Sequence, residues 1–415
     1  MLHAFSSLTV PQFRTLWLGM LFSLASMQMD LVARSWLAYD LSGSGLALGL
    51  VVAARGLPQL LCSVVAGVAA DRLDKRRLLI ATQLSLALLA LANGVLVHLG
   101  VVAIWHLVII GALQGAVFAF NFPARQAYIP ELVGIERLAN ALAVHATGMN
   151  ASRVVAPAAA GLLLTWSPTV AFYAIAAGYA ATTLTLLRLP PGRKPSGQGT
   201  GATAEIVGGF RYIVRQPVLR SLMGLAFVPV LLGVPYQHLL PVFQADVLRV
   251  GPSQLGLMYT AAGVGSLVGS LGVAYLAASP RQGQLQLVAG IAFGVALAGF
   301  ALSRAYEVSL ALLFVVGLTS QAYLTINGTL LMVYTDRKFY GRVMSIYNMT
   351  WAFQPLATLP LGGLVDVLGA PATMAGAGAL LAVLVAAIGV ANPVHRRMVT
   401  VPSSAGGRPA PPRAS

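Results

Sequence analysis

Charge is what this sequence lacks. Asp, Glu, Lys and Arg make up only 9% of its 415 residues, hydrophobic residues make up 58%, and mean hydropathy is +0.80. A soluble domain carries about 25% charged residues, so a water-facing fold of this composition is excluded: its exterior could not be covered. Acid is scarcer still. Eleven Asp and Glu face 26 Lys and Arg, giving a net charge of +15. The single cysteine, Cys62, excludes an internal disulfide and a paired-cysteine metal site. There is no Walker-type phosphate loop, no His-Glu-x-x-His pair and no Gly-x-Ser-x-Gly elbow, which argues against a nucleotide-driven engine, a zinc hydrolase or a serine hydrolase. No enzyme, cofactor or metal is expected. The first ten residues lack the basic and apolar regions of a cleavable leader, so the first apolar run is expected to be kept as a helix.

What is present is long apolar runs. About twelve windows reach the roughly 20 residues needed to cross a bilayer at 1.5 Å per residue. They lie near 14–38, 45–70, 78–98, 104–124, 139–164, 169–188, 219–244, 253–277, 285–303, 308–334, 342–365 and 371–392. The expected fold is therefore an all-α membrane protein. Residues 1–189 read as one bundle of about six spans and 218–393 as a second. A Pro/Gly/Ser-rich linker, 190–217, joins them, and a polar, Pro-rich tail at 394–415 is expected to be disordered.

Basic residues set the orientation. With the N-terminus inside, the cytoplasmic side receives Arg72, Lys75, Arg76 and Arg77, then Arg125 and Arg137, the linker cluster from Arg188 to Arg220, Arg337, Lys338 and Arg342, and the tail arginines. Only Arg249 and Arg304 fall outside. This is the positive-inside pattern. It accounts for the net charge without nucleic acid, and places both termini on the cytoplasmic side of a cytoplasmic membrane.

The halves also repeat. Leu48-Gly49-Leu50…Ala54-Arg55-Gly56 in the second span returns as Leu255-Gly256-Leu257…Ala261-Ala262-Gly263 in the eighth. Arg14-Thr15-Leu16 before the first span returns as Arg220-Ser221-Leu222 before the seventh. An even number of spans per half gives both copies one orientation. Such a parallel repeat is expected to form a substrate site between its halves near mid-membrane.

Between the second and third spans stands Gly67-Val-Ala-Ala-Asp71-Arg72-Leu-Asp74-Lys75-Arg76-Arg77. Gly67 permits close helix approach, and the cations suit a helix C-terminus. This pattern resembles the loop signature of the major facilitator superfamily. Phe13-Arg14-Thr15-Leu16-Trp17, Pro123-Ala124-Arg125-Gln126, Pro130-Glu131-Leu132 and Gly341-Arg342-Val343-Met344-Ser345 are similar to its bacterial efflux-type branch, which includes siderophore exporters and macrolide or multidrug permeases. The resemblance implies two six-helix pseudo-repeat bundles. It also implies that Asp71, supported by Arg72 and Arg76, helps hold one gate closed, and that spans three, six, nine and twelve face lipid. Ala156, Pro157 and Gly161 stand where antiporters of the family carry a glycine-rich pattern, here with glycines replaced by Ser and Ala. Gln114-Gly115 stands where many proton-coupled exporters have Arg.

Charges inside spans carry a penalty of about 2.5–3.5 kcal/mol and usually face a partner or a cavity. Arg55 lies about 15 Å into the second span; its repeat counterpart is Ala262. Arg153 lies mid-way along the fifth. Asp30 and Arg34 share one face of the first. Asp30 is the one acidic residue well inside a span, so it is the candidate for proton coupling; pairing with Arg34 or Arg55 would hold it ionised and oppose that role. Asn121, Asn150, Gln237, Asn327 and Asn348 lie on further spans, where each either bonds a neighbouring helix or contacts substrate. The function expected is alternating-access export of amphipathic small molecules in exchange for protons, by a chain acting as a monomer in the bilayer. An uptake permease is the alternative. Cysteine labelling is expected to find the Arg72–Arg77 loop and the central linker on the same face of the membrane; opposite faces would end this topology.

Overall fold

The computed structural model describes residues 2–192, 202–276, 279, 281–392 and 398, apart from the side chains of 2–5, 64, 68, 70, 71 and 202–207. The early linker with Arg193 and Lys194, and nearly all of the 394–415 tail, lie outside the described residues. Every described element is helical, as lipid demands: helices satisfy their own backbone hydrogen bonds where no water can.

After a 3-10 turn at Leu2–Thr9 come α1 (Pro11–Ser42), α2 (Gly45–Arg72), α3 (Lys75–His98), α4 (Ile104–Trp166) and α5 (Pro168–Leu187). Then follow α6 (Ala202–Arg215), α7 (Pro217–Val228), α8 (Tyr236–Val242), α9 (Pro252–Tyr275), α10 (Gln282–Leu302), α11 (Tyr306–Tyr334), α12 (Tyr340–Thr350), α13 (Phe353–Leu368) and α14 (Ala370–Ala391). Among the described residues, ten helical stretches are long and apolar enough to cross a membrane. One of them, α4, has 63 residues and contains both the 104–124 and 139–164 windows. Helix continues through Pro123 and Pro130 and breaks its geometry only at Gly134, whose φ of 73° suits a residue without a Cβ. The segment between those two windows is therefore helix, not an extended loop. Wide π-type turns occupy Pro229–Gly233 and Phe243–Val247, around the prolines of the seventh window, where a missing N–H loosens the helical ladder.

By contacts the chain groups into two compact units. The first holds Met1–Ala202, Gln237–Thr260 and Thr358–Val367; the second holds Thr203–Tyr236, Ala261–Ala357 and Leu368–Ser415. In the first unit Phe13, Leu16, Met20, Leu79, Tyr128 and Ile129 form an apolar cluster at the base of α1, α3 and α4. In the second, Leu222, Met223, Ile326, Leu330 and Val343 do the same for α7, α11 and α12. Outward faces are apolar too: on α3, Leu84, Leu88, Leu91 and Val95 are exposed at helical spacing while Gln83 and Asn93 are buried. That inversion of the soluble pattern belongs to a lipid solvent.

One packing contact occurs in both units. A Cβ on Gly115 would overlap the backbone of Arg55, bringing α4 against α2; a Cβ on Gly317 would overlap the backbone of Ala262, bringing α11 against α9. Arg55 and Ala262 are the paired positions of the sequence repeat. Backbone cannot yield as a flexible side chain does, so Gly115→Leu and Gly317→Leu are each expected to destabilise by about 1–3 kcal/mol. Gly272→Leu, where an added Cβ meets nothing within 4 Å, is expected to be neutral. Thermal unfolding in detergent compares the three.

Candidate functional site

The first unit gathers its buried charge on α1, α2 and α4. Asp30 is 1% exposed and Arg34 5%. One turn apart on α1, they are joined by Arg34 Nη2, which donates to both Asp30 carboxylate oxygens at 2.8 and 3.0 Å. Arg55 reaches the same carboxylate from α2, with Nη1 3.6 Å from Oδ2. Its guanidinium also lies over the Phe118 ring at 4.5 Å, a cation–π contact. From α4, Gln114 Oε1 accepts a further hydrogen bond from Arg34 Nη2. Gly111 and Gly115 make this convergence possible: they let α4 lie against the α2 backbone beside Arg34 and Arg55. Tyr179 of α5, 1% exposed, stands within electrostatic reach of Asp30, Arg34 and Arg55.

This node is one carboxylate shared by two guanidiniums, so it keeps one positive charge. Its hydrogen bonding is also incomplete. Arg34 Nε and Nη1 and Gln114 Nε2 are buried without a hydrogen-bond partner among the described residues. Buried donors are nearly always satisfied in proteins, so these are places where a water, an ion or a ligand group would be bonded. At the matching positions of the repeat stand Tyr236, Leu240 and Ala262, all buried.

A second polar cluster lies further along α4. Arg125, 9% exposed, donates from Nη2 to Asn121 Oδ1 at 2.8 Å and to Ser23 Oγ on α1 at 3.2 Å. Asn121 Nδ2 donates to Thr82 Oγ1 at 2.8 Å, and Gln83 Nε2 to Ser23 Oγ at 2.9 Å, so α3 is tied in. Arg125 was expected in a cytoplasmic loop. It lies on α4, whose helix continues past the fourth window, and is buried there. In the second unit Asn327 is fully buried and accepts from Gln286 Nε2 at 2.7 Å, a helix–helix hydrogen bond between α11 and α10.

The remaining expected residues are dispersed. Asn150 and Arg153 are half-buried on α4, and the Gln237 backbone carbonyl accepts from Tyr259 Oη at 2.5 Å. Asn348 is exposed on α12. In the loop motif, Asp71's side chain lies outside the described residues and Arg72 is exposed. Arg76 donates to the Leu186 and Leu187 carbonyls at 3.0 and 2.6 Å, neutralising the free C-terminal carbonyls of α5. Asp74 caps α3 by accepting from Arg77 N, and Lys75 pairs with Glu131 at 3.0 Å. A Cβ on Gly67 meets nothing within 4 Å among the described residues, so no helix approach depends on that glycine here.

Near the α1–α2 turn the first unit is held by acids that sequence reasoning did not single out. Asp366 of α13 accepts from Ser44 Oγ at 2.7 Å, Gly45 N at 2.6 Å and Leu46 N at 3.0 Å. A carboxylate thus sits on the positive N-terminal end of α2. Tyr39 Oη donates to Asp246. Glycines bring the helices together at this end: a Cβ on Gly45 would come 2.7 Å from the Gly362 carbonyl, and one on Gly49 2.9 Å from the Thr358 carbonyl. Gly161, buried with Ala156 and Pro157 on the antiporter-like stretch, packs on α9, where an added Cβ would come 2.6 Å from the Pro252 carbonyl. Asp366→Ala is expected to loosen the α2–α13 contact. With Cys62 replaced, a cysteine at the fully buried Thr358 position should then react with maleimide about tenfold faster, matching one hydrogen bond to a charged group. An unchanged rate would show that Asp366 holds nothing.

Known proteins fit this architecture. A family model described as transmembrane secretion effector matches residues 2–406. The chain is 28% identical to the multidrug efflux pump Tap of Mycolicibacterium fortuitum, over 83% of this chain and 87% of Tap. It is 26% identical to the enterobactin exporter EntS of Escherichia coli, over 90% of this chain and 86% of EntS. A point mutant of the nucleoside transporter NupG superposes with a TM-score of 0.77 at 12% identity, covering 91% of this chain and 99% of NupG, which shows the shared fold. These matches, together with an all-helical membrane architecture and its internal repeat, make the chain a transporter rather than an enzyme: it belongs to the transmembrane secretion effector family, an efflux-type branch of the major facilitator superfamily.

Proposed function

We propose that this protein exports amphipathic small molecules across the cytoplasmic membrane by alternating access, in exchange for protons, with both termini on the cytoplasmic side and one chain sufficing for a cycle. The observation that carries the reading is the Asp30–Arg34–Arg55 node: an ionisable group deep in a span, flanked by donors the protein leaves unfilled. Efflux as the direction is supported by the names of its relatives, a multidrug pump and a siderophore exporter. Apolar spans surrounding a small polar centre suit a cargo that is mostly apolar with a few polar groups.

In this reading Asp30 alternates between two states. Ionised, it is the shared counter-ion of Arg34 and Arg55, and the node is closed on itself. Protonated, it releases both guanidiniums and the helices that carry them. The change in pairing between α1 and α2 is the differential interaction that biases one access state over the other. Asp71 with Arg72, and Asp366 on the α2 N-terminus, are the proposed clasps at opposite ends of α2.

In everted vesicles energised by a pH gradient, wild-type protein should accumulate a fluorescent amphiphile and lose that accumulation on adding a protonophore. Asp30→Asn keeps the shape, removes the ionisable group, and should abolish gradient-driven accumulation while leaving downhill equilibration through the protein. Undiminished gradient-driven accumulation in Asp30→Asn would remove Asp30 from coupling. Accumulation only in right-side-out vesicles would make the protein an uptake permease.

A further inference from the structure

Helix α6 has 14 residues, too few to cross a membrane, and is not one of the candidate spans. It ends at Arg215, and the next candidate span begins at Pro217. The 3-10 turn Arg337–Phe339 lies just past Tyr334, where another candidate span, α11, ends. Both segments therefore lie where spans leave the bilayer, at the level of lipid headgroups.

Within the second unit the two are fastened together. Tyr212 stacks flat on Phe339, with ring centroids 4.1 Å apart and planes 4° from parallel. Tyr212 Oη donates to Asp336 Oδ2 at 3.2 Å and accepts from Asp336 N at 3.3 Å. A Cβ on Gly209 would come 2.9 Å from Arg342 Cβ, so α6 lies close on α12. Ile213 completes this face, 5% exposed, in the apolar cluster of Leu222 and Val343.

The rest of α6 faces away from the protein and carries two stripes. Phe210 and Val214, four apart, are 61% and 46% exposed. Arg211 and Arg215, also four apart, are exposed beside them. Arg337 and Lys338 on the stacked turn are exposed as well. None of these four cations is in an ion pair among the described residues. An apolar stripe beside a basic one, on a helix at headgroup level, is the pattern of a helix seated in the membrane surface.

Packing does not account for the cations. The first unit docks its own leading segment at the corresponding place, where Ser7 N donates to Asn140 Oδ1 at 2.9 Å. Asn140 stands as far beyond Gly115 in sequence as Arg342 stands beyond Gly317, so the two docks are related by the repeat. The segment docked there, Leu2–Thr9, contains no Arg or Lys.

We propose that α6 and the Arg337–Phe339 turn form a binding surface for anionic phospholipid headgroups. Phe210 and Val214 enter the acyl boundary, and Arg211, Arg215, Arg337 and Lys338 meet the phosphates. Arginine suits this role because its planar fork takes two phosphate oxygens at once. The Tyr212–Phe339 stack holds helix and turn in one surface, so the charges act together. The inference needs only the membrane architecture; it is independent of the direction of transport and of its coupling.

The test uses full-length protein carrying Cys62→Ser and Gln216→Cys. Gln216 is exposed at the end of α6, and a nitrobenzoxadiazole label on the new thiol reports that surface by its fluorescence. Phosphatidylglycerol is titrated into dodecyl maltoside micelles of this protein, with phosphatidylcholine as the neutral comparison. The label should respond to phosphatidylglycerol at a mole fraction lower by about tenfold or more. Arg211→Gln with Arg215→Gln should raise the half-saturating fraction about 25-fold, roughly fivefold for each charge. Arg337→Gln with Lys338→Gln should do the same from the turn. Both should leave the phosphatidylcholine response unchanged, which also certifies that they are folded. Arg77→Gln with Arg137→Gln removes equal charge from exposed positions elsewhere and should change nothing. Phe210→Ser with Val214→Ser should weaken the response to both lipids. The proposal is overturned if either basic pair can be removed without weakening phosphatidylglycerol binding, or if the two lipids bind alike. Equal weakening by the Arg77 and Arg137 substitutions would make net charge responsible and overturn it too. Displacement of phosphatidylglycerol by inorganic phosphate would assign a small-anion site in place of a lipid surface.

Discussion

A charge taken out of water into this protein has only other parts of the protein to answer it. That constraint shapes the first unit more than any apolar contact does. Asp30, at 1% exposure, is answered by Arg34 one turn away on its own helix and by Arg55, which reaches it from α2. Bringing Arg55 that close requires α2 and α4 to touch backbone to backbone, which in turn requires Gly115. Removing one partner from such a set leaves a buried charge uncompensated, at a penalty of about 3–5 kcal/mol. The helix positions are therefore tied to the charge pairing, and a change in pairing is a change in helix packing. That link is what a transporter needs between the chemistry of coupling and the motion of its helices.

The internal repeat shows which part of this is common to both halves and which belongs to one. Both units use a glycine to press a helix on the backbone of its neighbour, Gly115 on Arg55 in one and Gly317 on Ala262 in the other. Both place a buried amide pair or network on the helices that follow, through Gln83 and Asn121 in one and Gln286 and Asn327 in the other. The charges appear only once. Tyr236, Leu240 and Ala262 fill the positions of Asp30, Arg34 and Arg55. The duplicated scaffold kept its packing and carries the Asp30–Arg34–Arg55 charge set in one copy only.

Much of this was legible from residue order, because the signals are local or periodic. Apolar windows marked the ten helical stretches able to span, though the 342–365 window is divided between α12 and α13, and the pairing of Asp30 with Arg34 followed from four-residue spacing on one helix face. The matching of Arg55 with Ala262 followed from the repeat. That Arg125 lies on a helix rather than in a connection was not legible, because the hydropathy of the fourth window fades near Pro123. Helix nevertheless continues to Gly134, since Pro123 and Pro130 are accommodated and only the glycine departs from helical geometry. Asp246 and Asp366 were invisible for a different reason. Each lies at the end of a span, where an acid is unremarkable, and its partner is hundreds of residues away in sequence: Tyr39 for one, the first turn of α2 for the other. No one-dimensional pattern encodes such a pairing. The glycine contacts of Gly45 with Gly362 and Gly161 with Gly256 are of the same kind.

Those glycine seams carry a consequence for how readily the protein can switch. Two surfaces joined by interlocking side chains must re-order many rotamers each time they meet, and each long side chain that is fixed loses up to about 2 kcal/mol of freedom. Surfaces made of bare backbone have almost nothing to re-order. They adhere through dispersion and weak Cα–H···O contacts, which vanish within an ångström or so of separation. Such a seam behaves more like a smooth fastening than a knot: parting it and remaking it leaves no conformational debt on either side, so the weak energy of a small cargo can be enough to tip it.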